Sequence, residues 1–270
     1  MTRRLAAGAI AAIFGLIAVA TLASPAQAQA GTGTVSVVHG IPGVTVDVYV
    51  DGTLTLPGFT PTTVAGPLTL PAATYAITIY AAGADPASAS PVITASVALP
   101  AGANASLVAH LDAAGTPVLT TFVNDTAAAP AGDGRVVVRH TAAAPAVDVL
   151  AGGTPVFTNL TNPNSVQADL PAGTVEASVN LAGTATTVIG PAPVTVEAGM
   201  ATIVYAIGSA EAGTLGVVVQ MVPLAGPQLV VQTGTAGLHD PGTPTWAVAG
   251  LVIALSGLAF AGRSVVRARS

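Results

Sequence analysis

A His and an Asp recur at the same short spacing in two parts of the chain. His39 precedes Asp47, and His140 precedes Asp148. A His that is oriented by a carboxylate acts as a general base when a nucleophile or a water lies within reach. No nucleophile motif of the Gly-x-Ser-x-Gly type accompanies either pair. The pairs are therefore candidates for hydrolytic chemistry that lack a recognisable nucleophile.

A structural role explains the same residues without catalysis. An Asp flanked by valines projects from the opposite face of a strand, where its carboxylate accepts hydrogen bonds from a loop. A His at the end of a strand clips the turn that follows, which is Ile41-Pro42-Gly43 in the first copy. Because each pair occurs once per copy, we favour this folding role and assign no catalytic residue.

Acidic residues in expected turns raise the possibility of calcium binding, because oxygen-rich turns hold this ion. None of them forms an Asp-x-Asp-x-Asp-Gly run, and the His residues are scattered along a chain without Cys, which disfavours zinc. We therefore predict no metal ligand, no cofactor-binding residue and no cofactor. The acids are Asp51, Asp85, Asp112, Asp125 and Asp133, and the His residues are His39, His110, His140 and His239.

Two tyrosines suggest a glycan-binding surface. Tyr49 and Tyr80 fall on the polar faces of their strands, and aromatic rings present large, rigid contact areas to sugars. Their counterparts in the second copy are Leu150 and Asn180. Such a platform would belong to the first copy alone, and ordinary sheet tyrosines are the favoured alternative.

The elements that position these residues are strands. Along residues 44–50 every second residue is Val, and residues 74–80 alternate in the same way, which is typical of half-buried strands. Turn signals such as Asp51-Gly52 separate such runs. The pattern predicts an all-β chain with two tandem immunoglobulin-like β-sandwich modules. Further strands are predicted at residues 92–99, 105–111, 117–123, 174–180, 193–197, 201–207 and 215–222.

The duplication defines the domain organisation. Residues 35–83 and 136–183 repeat one pattern at an offset of about 100 residues, the length of a small domain. We predict a first module at residues 31–124 and a second at 135–223. Residues 125–134 would be a short, moderately flexible linker, and residues 224–245 a second linker with one more possible strand at 228–232.

The repeated motifs carry a family resemblance. Val37-Val38-His39, then Val46-Asp47-Val48-Tyr49-Val50-Asp51-Gly52, then Leu70-Pro71-Ala72-Ala73-Thr74-Tyr75 resemble the domain-of-unknown-function family 4397. The likeness covers most of residues 34–222 and is clearest in the first copy. It implies repeated all-β modules of exported bacterial proteins, often anchored at the surface, with no assigned reaction. The lack of Lys, with much Ala, Gly and Val, resembles exported actinobacterial proteins.

Composition excludes one class of partner. Charged residues make up 7 % of the chain, against about 25 % in ordinary soluble domains. Lys is absent, and between the two ends only Arg135 and Arg139 face all twelve acidic residues. Phosphate backbones need cationic partners, so nucleic-acid binding is excluded.

The two ends predict export and anchoring. Residues 1–30 have the basic start, apolar run and small cleavage-site residues of a signal peptide, and the Arg3-Arg4 pair leaves Sec and twin-arginine export open. Residues 246–262 are uncharged and precede Arg-rich residues 263–270, as expected of a transmembrane helix with a cytoplasmic basic tail. The layout resembles a cell-wall sorting signal, but Asp240-Pro241-Gly242-Thr243-Pro244 departs from Leu-Pro-x-Thr-Gly, so membrane anchoring is favoured.

Together these features predict a membrane-anchored extracellular protein of the bacterial envelope. Its role would be structural, adhesive or ligand-binding rather than enzymatic, and its partner a surface polymer or another protein. An envelope hydrolase that uses a His-Asp pair, and a calcium-dependent glycan-binding module, are the alternatives. The sequence leaves the oligomeric state open.

Overall fold

The computed structural model describes residues 31–226, which form sixteen strands and no helix. Val, Ile, Thr and Leu recur along these strands at the spacing of two that places one face in a core. The strands are β1 (Thr32–His39), β2 (Val46–Val50), β3 (Thr53–Phe59), β4 (Val64–Pro71), β5 (Ala73–Ala81), β6 (Ile93–Leu99), β7 (Asn104–Leu111), β8 (Pro117–Val123), β9 (Asp133–His140), β10 (Val147–Ala151), β11 (Thr154–Leu160), β12 (Ser165–Pro171), β13 (Gly173–Leu181), β14 (Thr187–Val196), β15 (Met200–Ile207) and β16 (Gly216–Pro223).

The strands form two sandwiches of the same topology. In the first, the sheets have the strand orders β4-β1-β7-β8 and β3-β2-β5-β6. In the second, the orders are β12-β9-β15-β16 and β11-β10-β13-β14. Neighbours are antiparallel except for β1 with β7 and β9 with β15, which run parallel. Apolar side chains from both sheets of each sandwich meet in a shared core. The all-β, sandwich-like prediction is confirmed.

The strand order differs from the predicted immunoglobulin-like arrangement. A constant-type immunoglobulin domain has seven strands and pairs its first strand with its second. Here each sandwich has eight strands, and β1 lies between β4 and β7. The alternation of apolar residues indicates which face of a strand is buried, but not which strand lies beside it. The sequence pattern therefore could not separate the two arrangements.

The core of the first sandwich follows the predicted alternation. Val46 and Val48 of β2 are buried, as are Ile77 and Ile79 of the neighbouring strand β5, where Ile79 lies opposite Val48. Burying each of these side chains contributes roughly 1.5–3 kcal/mol. Val44 precedes β2 and is exposed, so the alternation begins two residues later than the sequence suggested.

Several strands escaped the sequence analysis, and they share one property. β3, β4, β11 and β12 were not predicted, and β14 begins at Thr187 rather than at residue 193. All five are edge strands of their sheets. Edge strands tolerate Pro because one side of the backbone makes no ladder hydrogen bonds. β4, for example, contains Pro67 and Pro71.

The two sandwiches pack against each other through the outer faces of one sheet each. Val38 and Val108 point away from the first core and join an apolar cluster with Ile203, Tyr205 and Ile207 of β15. The sheets β4-β1-β7-β8 and β12-β9-β15-β16 therefore meet face to face. Residues 31–226 lie within one compact unit.

A buried cation fixes the register of this interface. Arg139 donates to the Tyr205 hydroxyl at 2.8 Å and to Asn124 Oδ1 at 2.7 Å. Its guanidinium also lies 4.5 Å from the ring centroid of Phe122. Burial lowers the pKa of Arg139 from its usual value. Phe122 lies in β8 and Asn124 follows it, so both belong to the first sandwich, whereas Tyr205 belongs to β15 of the second. The Arg139 side chain therefore links the two sandwiches.

The segment between the sandwiches, predicted as a moderately flexible linker at residues 125–134, is held along its length. Arg135 forms an ion pair with Asp125 at 2.9 Å and donates to the backbone oxygen of Ala127 at 3.3 Å. The backbone N–H of Ala225 donates to Thr126 O at 2.7 Å. β9 begins at Asp133, two residues before the predicted second module.

Within residues 31–226 no helix is long and apolar enough to cross a membrane. The predicted signal peptide, the possible strand at residues 228–232, most of the second linker, His239, the transmembrane segment at 246–262 and the basic tail lie outside the described residues.

Candidate functional site

His39 holds the turn after β1 in place through hydrogen bonds made by both of its ring nitrogens. Its Nδ1 accepts the backbone N–H of Ile41 at 3.3 Å, and its Nε2 donates to Val44 O at 2.7 Å. Ile41 N is a donor and Val44 O an acceptor, so the ring is neutral with its hydrogen on Nε2. Burial lowers the pKa of His39 from its usual value, which favours this neutral form.

His140 occupies the same place in the second sandwich. Its Nε2 lies 3.0 Å from Pro145 O, and its buried Nδ1 has no hydrogen-bond partner among the described residues. Burial lowers the pKa of His140 as well. The arrangement is therefore repeated with one hydrogen bond fewer.

Asp47 is used to hold two loops. Its carboxylate accepts the backbone N–H of Gly58 at 2.7 Å and that of Gly83 at 2.8 Å. These hydrogen bonds lower the pKa of Asp47 below its usual range. His39 and Asp47 hydrogen-bond to different backbone groups and not to each other.

Asp148 repeats this arrangement with Asn159 and Gly183, whose backbone N–H groups both donate at 2.8 Å and lower its pKa. Gly58 and Asn159 occupy equivalent positions, with φ of 58° and 56°. This left-handed conformation aims the N–H at the carboxylate, and Gly and Asn adopt it more readily than other residues. The loop-holding interpretation of both Asp residues is confirmed.

We expect Asp47→Ala to lower the free energy of unfolding by about 3 kcal/mol, because two charge-assisted hydrogen bonds are lost together. Urea denaturation at neutral pH measures the change. Asp85→Ala is the matched control, since its exposed carboxylate accepts hydrogen bonds only within its own loop. We expect that control to change stability by less than about 0.5 kcal/mol. An unchanged stability for Asp47→Ala would contradict the loop-holding role.

The other residues that the sequence analysis considered as ligand-binding candidates lie in separate parts of the structure. The acidic turn residues Asp51, Asp85, Asp112 and Asp125 accept hydrogen bonds from nearby backbone N–H groups. Among residues 31–226 no three His, Asp or Glu side chains cluster as metal ligands. The pair of Tyr49 and Tyr80 does come together, with ring centroids 5.5 Å apart at an interplanar angle of 81°.

His110 is a buried residue for which the sequence offered no role. Its ring lies 2.9 Å from Leu111 O and 2.8 Å from the hydroxyl of Thr120. Burial is the main cause that lowers its pKa, and the nearby His140 acts in the same direction, whereas Asp112 raises it. Its apolar neighbours in the sequence were the available signal of burial.

A candidate ligand site within residues 31–226 is an apolar cleft of about 370 Å³ between the two sheets of the second sandwich. Every strand from β9 to β16 contributes to its lining, which contains no charged residue and only one polar residue, Ser178. A volume of this size lies in the range of small-molecule sites, roughly 300–1,000 Å³. The sequence analysis did not predict this cleft.

The cleft exists because the second sandwich has smaller side chains than the first at equivalent positions. In the first sandwich Ile77 pairs with Val50, whereas the corresponding pair in the second is Ala177 with Ala151. Smaller side chains leave space that a rigid pair of sheets does not close. Three further core residues are replaced in the same way: Tyr75, Leu99 and Leu107 by Val175, Val196 and Val204.

Comparison with known families gives one match, which covers the first sandwich and the start of the second. Residues 33–150 match the family described as Domain of unknown function (DUF4397). Over these residues the chain is similar to the DUF4397 family. A search of curated proteins returns no match. The DUF4397 match begins in β1 and ends in β10, so it includes both the His39–Asp47 and the His140–Asp148 positions.

Most of the cleft lies outside the DUF4397 match. Its lining from Ala151 onward lies after residue 150, and only Val136, Val138, Val149 and Leu150 fall within the matched residues. The DUF4397 match therefore covers the repeated loop-holding residues, while the cleft depends mainly on the strands that follow them.

Proposed function

We propose that the protein is a non-enzymatic, ligand-binding protein displayed on the outside of a bacterial envelope. Residues 1–30 would direct its export, and residues 246–262 would anchor it in the membrane. The binding site would be the apolar cleft of the second sandwich. The observation that carries this proposal is the cleft itself, since an uncharged cavity between two sheets is suited to binding and lacks groups for acid–base chemistry.

The hydrolase alternative has weaker support. A general base needs a free nitrogen directed at the substrate, whereas His39 uses both ring nitrogens for the turn after β1. Both carboxylate oxygens of Asp47 and of Asp148 likewise accept hydrogen bonds from backbone N–H groups. These contacts favour the folding role for His39 and for both Asp residues. His140 has a second ring nitrogen without a partner, but this Nδ1 is buried.

Glycan binding retains one supporting observation, the edge-to-face contact of Tyr49 and Tyr80 on the first sandwich. Calcium as a cofactor of such binding has less support, because the acidic turn residues are spread over separate loops. We therefore rank the apolar cleft above a sugar platform as the binding site.

Two measurements test the proposal. Intact cells treated with proteinase K should lose the two sandwiches, while the cytoplasmic tail stays protected. Trypsin is unsuitable, because Arg135 and Arg139 are its only sites within residues 31–226 and both are buried. A protein of residues 31–226 should bind the neutral apolar dye Nile red at one site. Absence of dye binding would refute the cleft as the binding site, and protection from the protease would refute outward display.

A further inference from the structure

We infer that the cleft binds the acyl chain of a lipid as a single linear hydrocarbon. This inference rests on the proposed function and names the class of ligand. It follows from the polarity, the shape and the volume of the cleft, and from a comparison with the equivalent region of the first sandwich.

The polarity of the lining excludes most other ligands. Ser178 is the one polar residue, and the sheet backbones make their hydrogen bonds to neighbouring strands. A peptide in the cleft would bury N–H and C=O groups without partners, and a sugar would bury hydroxyl groups. A charged group would meet no counter-charge. A hydrocarbon has none of these costs.

The shape favours a linear chain. Residues from every strand of the sandwich line the cleft, so it extends across four strands, which is about 14 Å at ordinary strand spacing. It is open along two edges, because Val156 of β11 is 51 % exposed and Val217 and Val219 of β16 are 44 % and 50 % exposed. An extended chain can enter at one edge while its polar head stays in water.

In the first sandwich, side chains fill the space that corresponds to the cleft. There the equivalent region is occupied by hydrocarbon side chains, including Ile77 and Leu107. Their counterparts Ala177 and Val204 leave the region open. Of the four larger first-sandwich residues, Ile77, Leu99 and Leu107 are aliphatic and only Tyr75 is aromatic, so most of the missing volume is aliphatic.

The volume sets the length of the chain. A cavity of about 150 Å³ lined by Leu, Ile and Phe accommodates one benzene molecule. By that scale a cleft of about 370 Å³ holds a chain of about 15 carbon atoms. This is the length range of an ordinary acyl chain.

A single thiol makes the inference testable on the full chain, because the sequence contains no Cys. Ala177→Cys places the thiol in the cleft of the full-length protein in phospholipid nanodiscs. The measured quantity is the rate of its modification by methyl methanethiosulfonate, with the free concentration of added 1-alkanols set by dialysis. Val219→Cys at the open edge is the second variant. Ile77→Cys, at the equivalent position of the filled first core, is the matched control.

The 1-alkanols should protect Cys at position 177, and the concentration needed should fall about fourfold for each added methylene. The gain should stop at about 15 carbon atoms, where the cleft is full. Lysophosphatidylcholine with a chain of matched length should protect as well, since its head group remains outside. The control at position 77 should show no change.

Other outcomes overturn the inference in distinguishable ways. If the alkanols fail to protect while Nile red still binds, the cleft is a binding site for a different class of ligand. A compact hydrocarbon such as 1-adamantanol protecting better than a linear alcohol of equal carbon number would exclude a linear chain. Protection by the alcohol but not by the lysolipid would exclude a lipid. If neither dye nor alcohol binds, the proposed function fails as well.

Discussion

The Ala177→Ile variant is expected to bind Nile red about fiftyfold more weakly than the wild-type protein, because the new side chain takes the place of about three methylene groups of ligand contact. The first sandwich has Ile77 at this position and fits it within its core. A second sandwich with the same side chain should therefore lose part of its cleft, about three methylene groups of space, without losing its fold.

The same substitution is expected to raise the free energy of unfolding by about 1–2 kcal/mol, since filling an apolar cavity is stabilising when no strain results. Fluorescence titration and urea denaturation of residues 31–226 measure the two effects. Ala98→Ile is the matched control, because Ala98 is exposed on an edge strand of the first sandwich. The control should leave dye binding unchanged. Unaltered dye binding by Ala177→Ile would show that the dye occupies another site.

Acid is expected to destabilise the protein as the pH falls below about 6.5, where unfolded His residues begin to bind protons. His39, His110 and His140 are buried, and burial lowers the pKa of each. Between their lowered pKa values and about 6.5 the unfolded chain binds protons that the folded chain does not. Stability therefore rises with pH in this window and is lost as the pH falls through it.

The size of this effect is set by the number of residues that titrate. Each buried His contributes up to about 1.4 kcal/mol per pH unit. Urea denaturation between pH 7.5 and pH 5 measures the slope. His140→Asn is the informative variant, because its side-chain amide can still donate to Pro145 O and does not titrate; the slope should fall by about one third. A stability that is independent of pH across this range would contradict the prediction.

Asp47 and Asp148 contribute to acid sensitivity in a different window. Hydrogen bonds from the loops lower the pKa of each, so their contribution is present above the usual Asp value of about 3.9 and is lost below it. The His and Asp contributions act in the same direction but separate on the pH axis.

Much of the fold was predictable where the signal is local. The buried faces of β2 and β5 follow from alternation over a few residues, and the use of Asp47 by nearby loops follows from an acid placed between valines. The edge strands were missed because their Pro and Gly residues are typical of turns as well as of strands without a second neighbour.

The sequence by itself determined that the chain is built from β-strands in two copies and which of their faces are apolar, because these depend on spacing and near neighbours. It favoured structural roles for His39 and Asp47 over a catalytic one. Only the tertiary structure decided the strand order, the Arg139 interface between the sandwiches and the apolar cleft. Each of these features depends on contacts between segments that are distant in the sequence. The cleft exists because the side chains of eight strands do not fill the whole space that the two sheets enclose.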